Sequence, residues 1–164
     1  MNVTSEIKVL LIEDDRELRE GFEVSLCESG FDVTAAADEQ ALLAVRGCSP
    51  DVLVIDLDLQ SGAAWNLYAD WKGRHPKLLT VALTAMPNRF GVARAVGINA
   101  LMEKPIEPSL LTLIVSSLVD EAARQALSQE PTRFDFRYLT RADARYWRGL
   151  RGRAARARLS CAAR

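Results

Sequence analysis

Along the first 120 residues, short apolar runs alternate with amphipathic stretches, and this alternation restricts what the chain can fold into. Five runs read as strands: Lys8–Glu13 (KVLLIE), Phe31–Ala36, Val52–Asp56 (VLVID), Leu78–Thr84 (LLTVALT) and the short Ala100–Met102. They are nearly continuous in apolar residues, the pattern of strands covered on both faces. The stretches between them read as helices. Arg16–Ser29 spaces Leu18, Phe22 and Leu26 by four and is stopped by Gly30. Asp38 caps a helix to about Arg46, Ala63–Arg74 forms another, and Asn88–Val96 is closed by Gly97. Pro108 at a first helical position opens a last helix reaching Ser128. Five strands alternating with helices predict an α/β fold: a doubly wound, five-stranded parallel sheet. In such sheets the functional crevice lies beyond the carboxyl ends of the strands.

Composition narrows the setting. The 164 residues are 49% apolar and 26% charged, ordinary for a soluble globular chain able to bury a core without covalent staples. Cys27, Cys48 and Cys161 are odd in number and widely spaced, so neither a disulfide framework nor a zinc site is expected. Reduced thiols fit a cytoplasmic protein. Met1–Lys8 is polar, unlike a signal peptide, and Leu110–Val119 is too short to span a membrane.

Charge divides the chain. Residues 1–132 carry 20 acidic and 11 basic residues, whereas 133–164 carry 2 acidic residues and 10 arginines. With Glu130–Pro131 as a boundary signal, the expected organisation is one domain over 1–128 and an Arg-rich extension over 129–164. Thr140 with Asp143 resembles a capping box for a helix from Arg141 to about Ser160, weakened by Gly149 and Gly152. Three readings of this extension stay open: a solvated, partly disordered tail, docking on the acidic body or a protein partner, and nucleic-acid binding. About 34 residues with one convincing helix cannot build a helix-turn-helix unit with its own core.

The expected strand ends collect chemistry. The first ends in Glu13-Asp14-Asp15, the third in Asp56, the fourth in Thr84 followed by Ala85, and the fifth is followed by Lys104-Pro105. Carboxylates gathered at one point repel each other and call for a cation. All-oxygen ligation with few protein ligands suits Mg²⁺, which keeps waters and takes phosphate oxygens. A carboxylate beside it can act as a nucleophile and form an acyl phosphate. Phosphoryl transfer needs mainly positioning and charge neutralisation, which a metal and a lysine supply.

The motifs IEDD at 12–15, VLVIDLDL at 52–59, ALTA at 82–85 and EKP at 103–105 resemble, in order and approximate spacing, those of the response-regulator receiver family of two-component signalling. The resemblance covers about residues 7–122 and implies the flavodoxin-like (βα)5 receiver fold. It implies that Asp56 is the phosphoacceptor, that Glu13, Asp14 and Asp56 hold Mg²⁺ with the backbone carbonyl of Asp58, and that Thr84 is the switch hydroxyl. Lys104 would pair with the phosphoryl group, and Pro105 would follow a bond that is often cis. The implied donor is a sensor histidine kinase or a histidine phosphotransfer protein, and the implied output is contact with a downstream protein. Two departures stand out. Gln60 occupies a position usually held by proline, with Gly62 available for the turn. Leu101 occupies the position of the family's mobile aromatic, which leaves Thr84 and loop movement to carry the signal.

Asp56-Leu57-Asp58 also resembles the nucleophile motif of haloacid-dehalogenase-type phosphatases, with Asp58 as general acid. Two strands precede the motif here, and the acidic cluster comes early rather than late, which opposes that reading. Asp15 reads as a helix cap. His75, the only histidine, lies in a polar loop. Trp65, Tyr68 and Trp71 share one helix, with core and edge packing as the default and a partner surface as the alternative.

Overall fold

The computed structural model describes residues 6–38, 47, 49–128 and 135–140. The elements, in chain order, are β1 (Lys8–Ile12), α1 (Arg16–Glu28), β2 (Asp32–Ala36), β3 (Val52–Asp56), α2 (Ala64–Arg74), β4 (Leu79–Thr84), a 3₁₀ turn (Pro87–Arg89), α3 (Phe90–Ala95), β5 (Ala100–Glu103), α4 (Pro108–Ser128) and β6 (Arg137–Leu139). The helix expected from Asp38 to Arg46 and the one expected from Arg141 onward lie outside the described residues.

The sheet is parallel throughout, in the order β2-β1-β3-β4-β5-β6. One face is covered by Phe22 and Leu26 of α1 and by Leu111, Ile114, Val115 and Leu118 of α4, packed on Val9, Leu11, Val54, Val81 and Met102. On the other face Tyr68 and Trp71 of α2 and Ala93 of α3 cover Leu10, Ile12, Leu53, Ile55, Ala82 and Leu101. Alternate residues of each strand thus enter different cores, which is why the runs read as continuously apolar. The expected pairing of Tyr68 with core is found, Trp71 is buried beside it, and Trp65 packs at the edge. His75 ends α2 and stacks on Trp71 with ring centroids 5.5 Å apart.

Local signals explain the boundaries. Asp15 caps α1 by accepting a hydrogen bond from Leu18 N at 3.0 Å. Gly30 leaves that helix at φ +90°, a conformation costly for residues with a Cβ. The α1 and α4 backbones come close where Gly21 faces Pro108, whose Cγ would lie 3.5 Å from an added Cβ.

The five-stranded sheet expected from the sequence is corrected to six. Residues 137–139, expected to belong to a helical or disordered extension, pair with β5, setting Ala100 opposite Arg137, Leu101 opposite Tyr138 and Met102 opposite Leu139. Three residues are too short for strand alternation to register, and the flanking arginines mask them. Tertiary contacts hold the strand instead. Leu139 is buried in the first core, and Tyr138 packs on the second with Phe136. Arg137 donates to Ser117 Oγ of α4 at 3.0 Å and pairs with Glu121. Among the described residues, no helix is long and apolar enough to cross a membrane.

If β6 is part of the folded unit, Leu139→Ala should lower unfolding stability by about 2–3 kcal/mol in urea titration. Leu127→Ala, at a position 86% exposed, should stay within about 0.5 kcal/mol. Equal effects of the two would show that β6 is not packed on the sheet.

Candidate functional site

The carboxyl ends of β1, β3, β4 and the segment after β5 meet at one edge of the sheet. β1 delivers Glu13, which is fully buried, then the half-buried Asp14 and the exposed cap Asp15. Arg19 fastens this corner by donating from Nη1 to the carbonyls of Glu13 at 2.7 Å and Asp14 at 3.2 Å. β3 delivers Asp56, 3% exposed. Parallel pairing of β1 with β3 places Glu13 and Asp56 side by side, one residue beyond the Ile12 pair with Ile55 and at the strand end respectively.

Lys104 closes the cluster. Its Nζ donates to Asp56 Oδ2 at 2.7 Å and to Glu13 Oε1 at 3.1 Å, and lies 2.8 Å from Glu13 Oε2. Lys104 N donates to the carbonyl of Thr84 at 2.7 Å, which ties the segment after β5 to the end of β4. The Lys104–Pro105 bond is cis, as the resemblance implies.

Burial strips water from Glu13 and pushes its carboxyl up from 4.5 to about 7. The Lys104 hydrogen bond works against this rise, and the Asp56 charge adds to it. For Lys104, burial pulls the ammonium down, but hydrogen bonds from it to Asp56 and Glu13 outweigh this, and the net direction is up. Two buried carboxylates therefore share one ammonium, and one of them holds its proton unusually strongly.

One carboxylate oxygen from each of Glu13, Asp14 and Asp56 lies within 4.8 Å of the others, so the three can converge on one ion. All are hard oxygen donors, and one lysine does not balance three carboxylates. This donor set and charge fit a divalent cation such as Mg²⁺.

The loop after β3 is held over this cluster. Asp58 N donates to Asp56 Oδ1 at 2.9 Å and Gln60 N to Asp14 Oδ2 at 2.9 Å. Gly62 makes the turn at φ +71°, with its N–H donating to the carbonyl of Leu59 at 2.9 Å. Thr84 is fully buried, and its Oγ1 donates to Asp58 Oδ2 at 2.9 Å.

All the side chains singled out from the sequence, Glu13, Asp14, Asp56, Thr84 and Lys104, thus lie at this edge. The Asp58 side chain was not singled out for a receiver role, since only its backbone carbonyl was expected to matter. Its alternation with Asp56 in DLD was the available signal. Arg89, whose Nη2 lies 3.7 Å from Asp58 Oδ1, gave no sequence signal. Leu101 is buried, with Tyr138 opposite it on β6. The Tyr138 hydroxyl donates to Glu103, and its ring centroid lies 4.9 Å from that of Phe90.

A model of the response regulator receiver domain family matches residues 9–116. Response regulator protein FleR of Pseudomonas aeruginosa is 32% identical over 127 residues, covering 76% of this chain and 25% of that protein. The chain therefore spans about a quarter of the length of this curated relative. Among solved structures, a CheY-like receiver domain protein from Methanospirillum hungatei superposes with a TM-score of 0.67 at 19% identity, over 74% of this chain and 99% of that one. Chemotaxis response regulator CheY4 of Vibrio cholerae gives 0.60 at 23% identity, over 70% and 99%. At these identities the structural matches speak for the fold.

The raised Glu13 carboxyl has a consequence for stability. Between about 4.5 and about 7 the folded chain holds a proton that the unfolded chain has released. Stability contributed by this group is present at low pH and is lost as pH rises through that window. Without divalent cations, the melting temperature should therefore carry a downward component from roughly pH 5 to 7.5, and Glu13→Gln should remove it. An unchanged pH profile in Glu13→Gln would contradict the assignment.

Proposed function

The chain belongs to the response regulator receiver domain family, and from that premise we propose that it is a phosphorylation switch in which Asp56 accepts a phosphoryl group. Members of this family are signalling proteins rather than conventional enzymes. The observation that carries the reading is the buried Asp56 carboxylate held by Lys104 Nζ at 2.7 Å beside Glu13 and Asp14.

In the proposed reaction, one carboxylate oxygen of Asp56 attacks the phosphorus of a phosphohistidine. A P–O bond forms and the P–N bond breaks, its electron pair returning to the imidazole nitrogen, which takes up a proton. Water attack on the resulting acyl phosphate later returns the carboxylate and releases inorganic phosphate. Glu13, Asp14, Asp56 and the backbone carbonyl of Asp58 would hold Mg²⁺. When bound, this ion supplies charge neutralisation for the phosphoryl oxygens. Lys104 supplies a fixed positive charge at the acceptor, and Thr84 Oγ1 supplies a hydrogen-bond donor for one phosphoryl oxygen.

The donor is a sensor histidine kinase or a histidine phosphotransfer protein in the cytoplasm, and the output is contact with a downstream protein. Tyr138 on β6, beside Leu101, adds a ring near the position where the sequence lacks an aromatic. The nucleic-acid reading of the arginine-rich segment rests on its charge alone, because 141–164 lie outside the described residues. The phosphatase reading needs Asp58 as a free general acid, and its carboxylate is instead occupied by Thr84 and Ala85.

Incubation with a small phosphodonor and Mg²⁺ should add one phosphoryl group by intact mass. Asp56→Asn should abolish the addition, and Lys104→Ala should slow it by at least about tenfold. Modification that survives Asp56→Asn would refute the acceptor assignment.

A further inference from the structure

Asp58 stands two residues after the acceptor, and its side chain sits on the groups that a phosphoryl oxygen would use. Its Oδ2 accepts from Thr84 Oγ1 at 2.9 Å and from Ala85 N at 2.6 Å. A hydroxyl and a backbone N–H converging on one anionic oxygen form the kind of donor pair that holds a phosphoryl oxygen. The carboxylate is tethered close to the acceptor, because Asp58 N donates to Asp56 Oδ1 at 2.9 Å. Its second oxygen is poorly satisfied: Asp58 Oδ1 is buried without a hydrogen bond, and Arg89 Nη2 stays 3.7 Å away.

We infer that the Asp58 carboxylate is an internal ligand that occupies the Thr84 hydroxyl and the Ala85 amide until a phosphoryl group on Asp56 displaces it. The inference rests on the receiver reading above and adds a positioning residue to it. Before phosphorylation, the contact points the Thr84 hydroxyl inward. Afterwards, the same two donors must leave Asp58 for the new anion. The competition weakens phosphoryl binding and shortens its stay. Displacement also separates Asp58 from Arg89, which ends the 3₁₀ turn leading into α3, so the exchange reaches a surface helix.

Charge repulsion alone would also make Asp58 unfavourable, and the choice of variants separates the two causes. Asp58→Asn keeps an oxygen able to accept both donors but loses the charge. Asp58→Ala loses both. Neither alters the backbone carbonyl at 58.

The test uses the full chain with Mg²⁺ and beryllofluoride, an analogue of the phosphoryl group, and reads Kd by calorimetry. Asp58→Ala should bind about threefold to tenfold more tightly than the unaltered chain, with Asp58→Asn between them. Thr84→Ala should cost more in the Asp58→Ala background than in the unaltered chain, because only there does Thr84 give up nothing to bind the analogue. Equal Kd for the Asp58 variants and the unaltered chain overturns the inference. So does an equal Thr84→Ala cost in both backgrounds, or identical behaviour of Asp58→Asn and Asp58→Ala. Should Asp58→Ala fail to fold, the cost of Thr84→Ala in the Asp58→Asn background decides: a cost larger than in the unaltered chain supports the competition, because a neutral amide holds the hydroxyl less strongly than a carboxylate, and an equal cost overturns it. Loss of analogue binding in Asp56→Asn keeps the receiver reading intact whatever the Asp58 variants do. Absence of binding in the unaltered chain overturns both.

Discussion

The ammonium of Lys104 lies between two buried carboxylates that approach each other from different strands, and the arrangement of this edge depends on it. Glu13 comes from the end of β1, Asp56 from the end of β3, and Lys104 from beyond β5, two strands further along the sheet. Removing carboxylates from water is costly unless they are paired and hydrogen-bonded. One ammonium serves both, and its own backbone N–H anchors it to the end of β4. The sheet therefore positions the Asp56 carboxylate and the cation that neutralises it with the same backbone ladder that builds the core. The pairing remains incomplete. Burial, with the Asp56 charge adding to it, makes Glu13 resist losing its proton, and three carboxylates against one lysine leave negative charge that suits a divalent ion.

Over this rigid edge lie loops held by a few hydrogen bonds. The N–H groups of Asp58 and Gln60 each reach a carboxylate oxygen of the cluster, so the loop after β3 reads the charge state beneath it. Asp58 extends that connection sideways to Thr84, Ala85 and Arg89. A new anion on Asp56 would compete for the same donors. In the proposed switch these donors would have two competing arrangements, one on Asp58 and one on the new anion.

β6 changes the meaning of the extension. Its pairing with β5 covers what would otherwise be the sheet edge, and its side chains join both cores. Phe90, Val92 and Val96 are exposed apolar residues on and just after α3. The Phe136 and Tyr138 rings meet Phe90 at centroid distances of 5.3 and 4.9 Å. Part of the C-terminal segment is thus bound to the same region of the molecule as the loop network.

Much of the fold was legible from the sequence alone. Short apolar runs such as VLLI and VLVID, separated by helices with their own caps and stops, specify strands buried on both faces, because period and burial are local properties of the chain. Strand-end logic then brought Glu13, Asp14, Asp56, Thr84 and Lys104 together, since parallel strands place all their carboxyl ends at one edge. What the sequence could not decide were features of weak local signal. Arg137–Leu139 is a strand only because β5 offers an edge, Leu139 finds the core, and Glu121 and Ser117 receive Arg137. The Asp58 carboxylate meets Thr84 only because β3 and β4 are neighbours, a contact across 26 residues. Sequence determined which groups reach the site, through local periodicity. Tertiary structure decided which of them hold one another, because hydrogen bonds between loops depend on distances that only the assembled sheet sets.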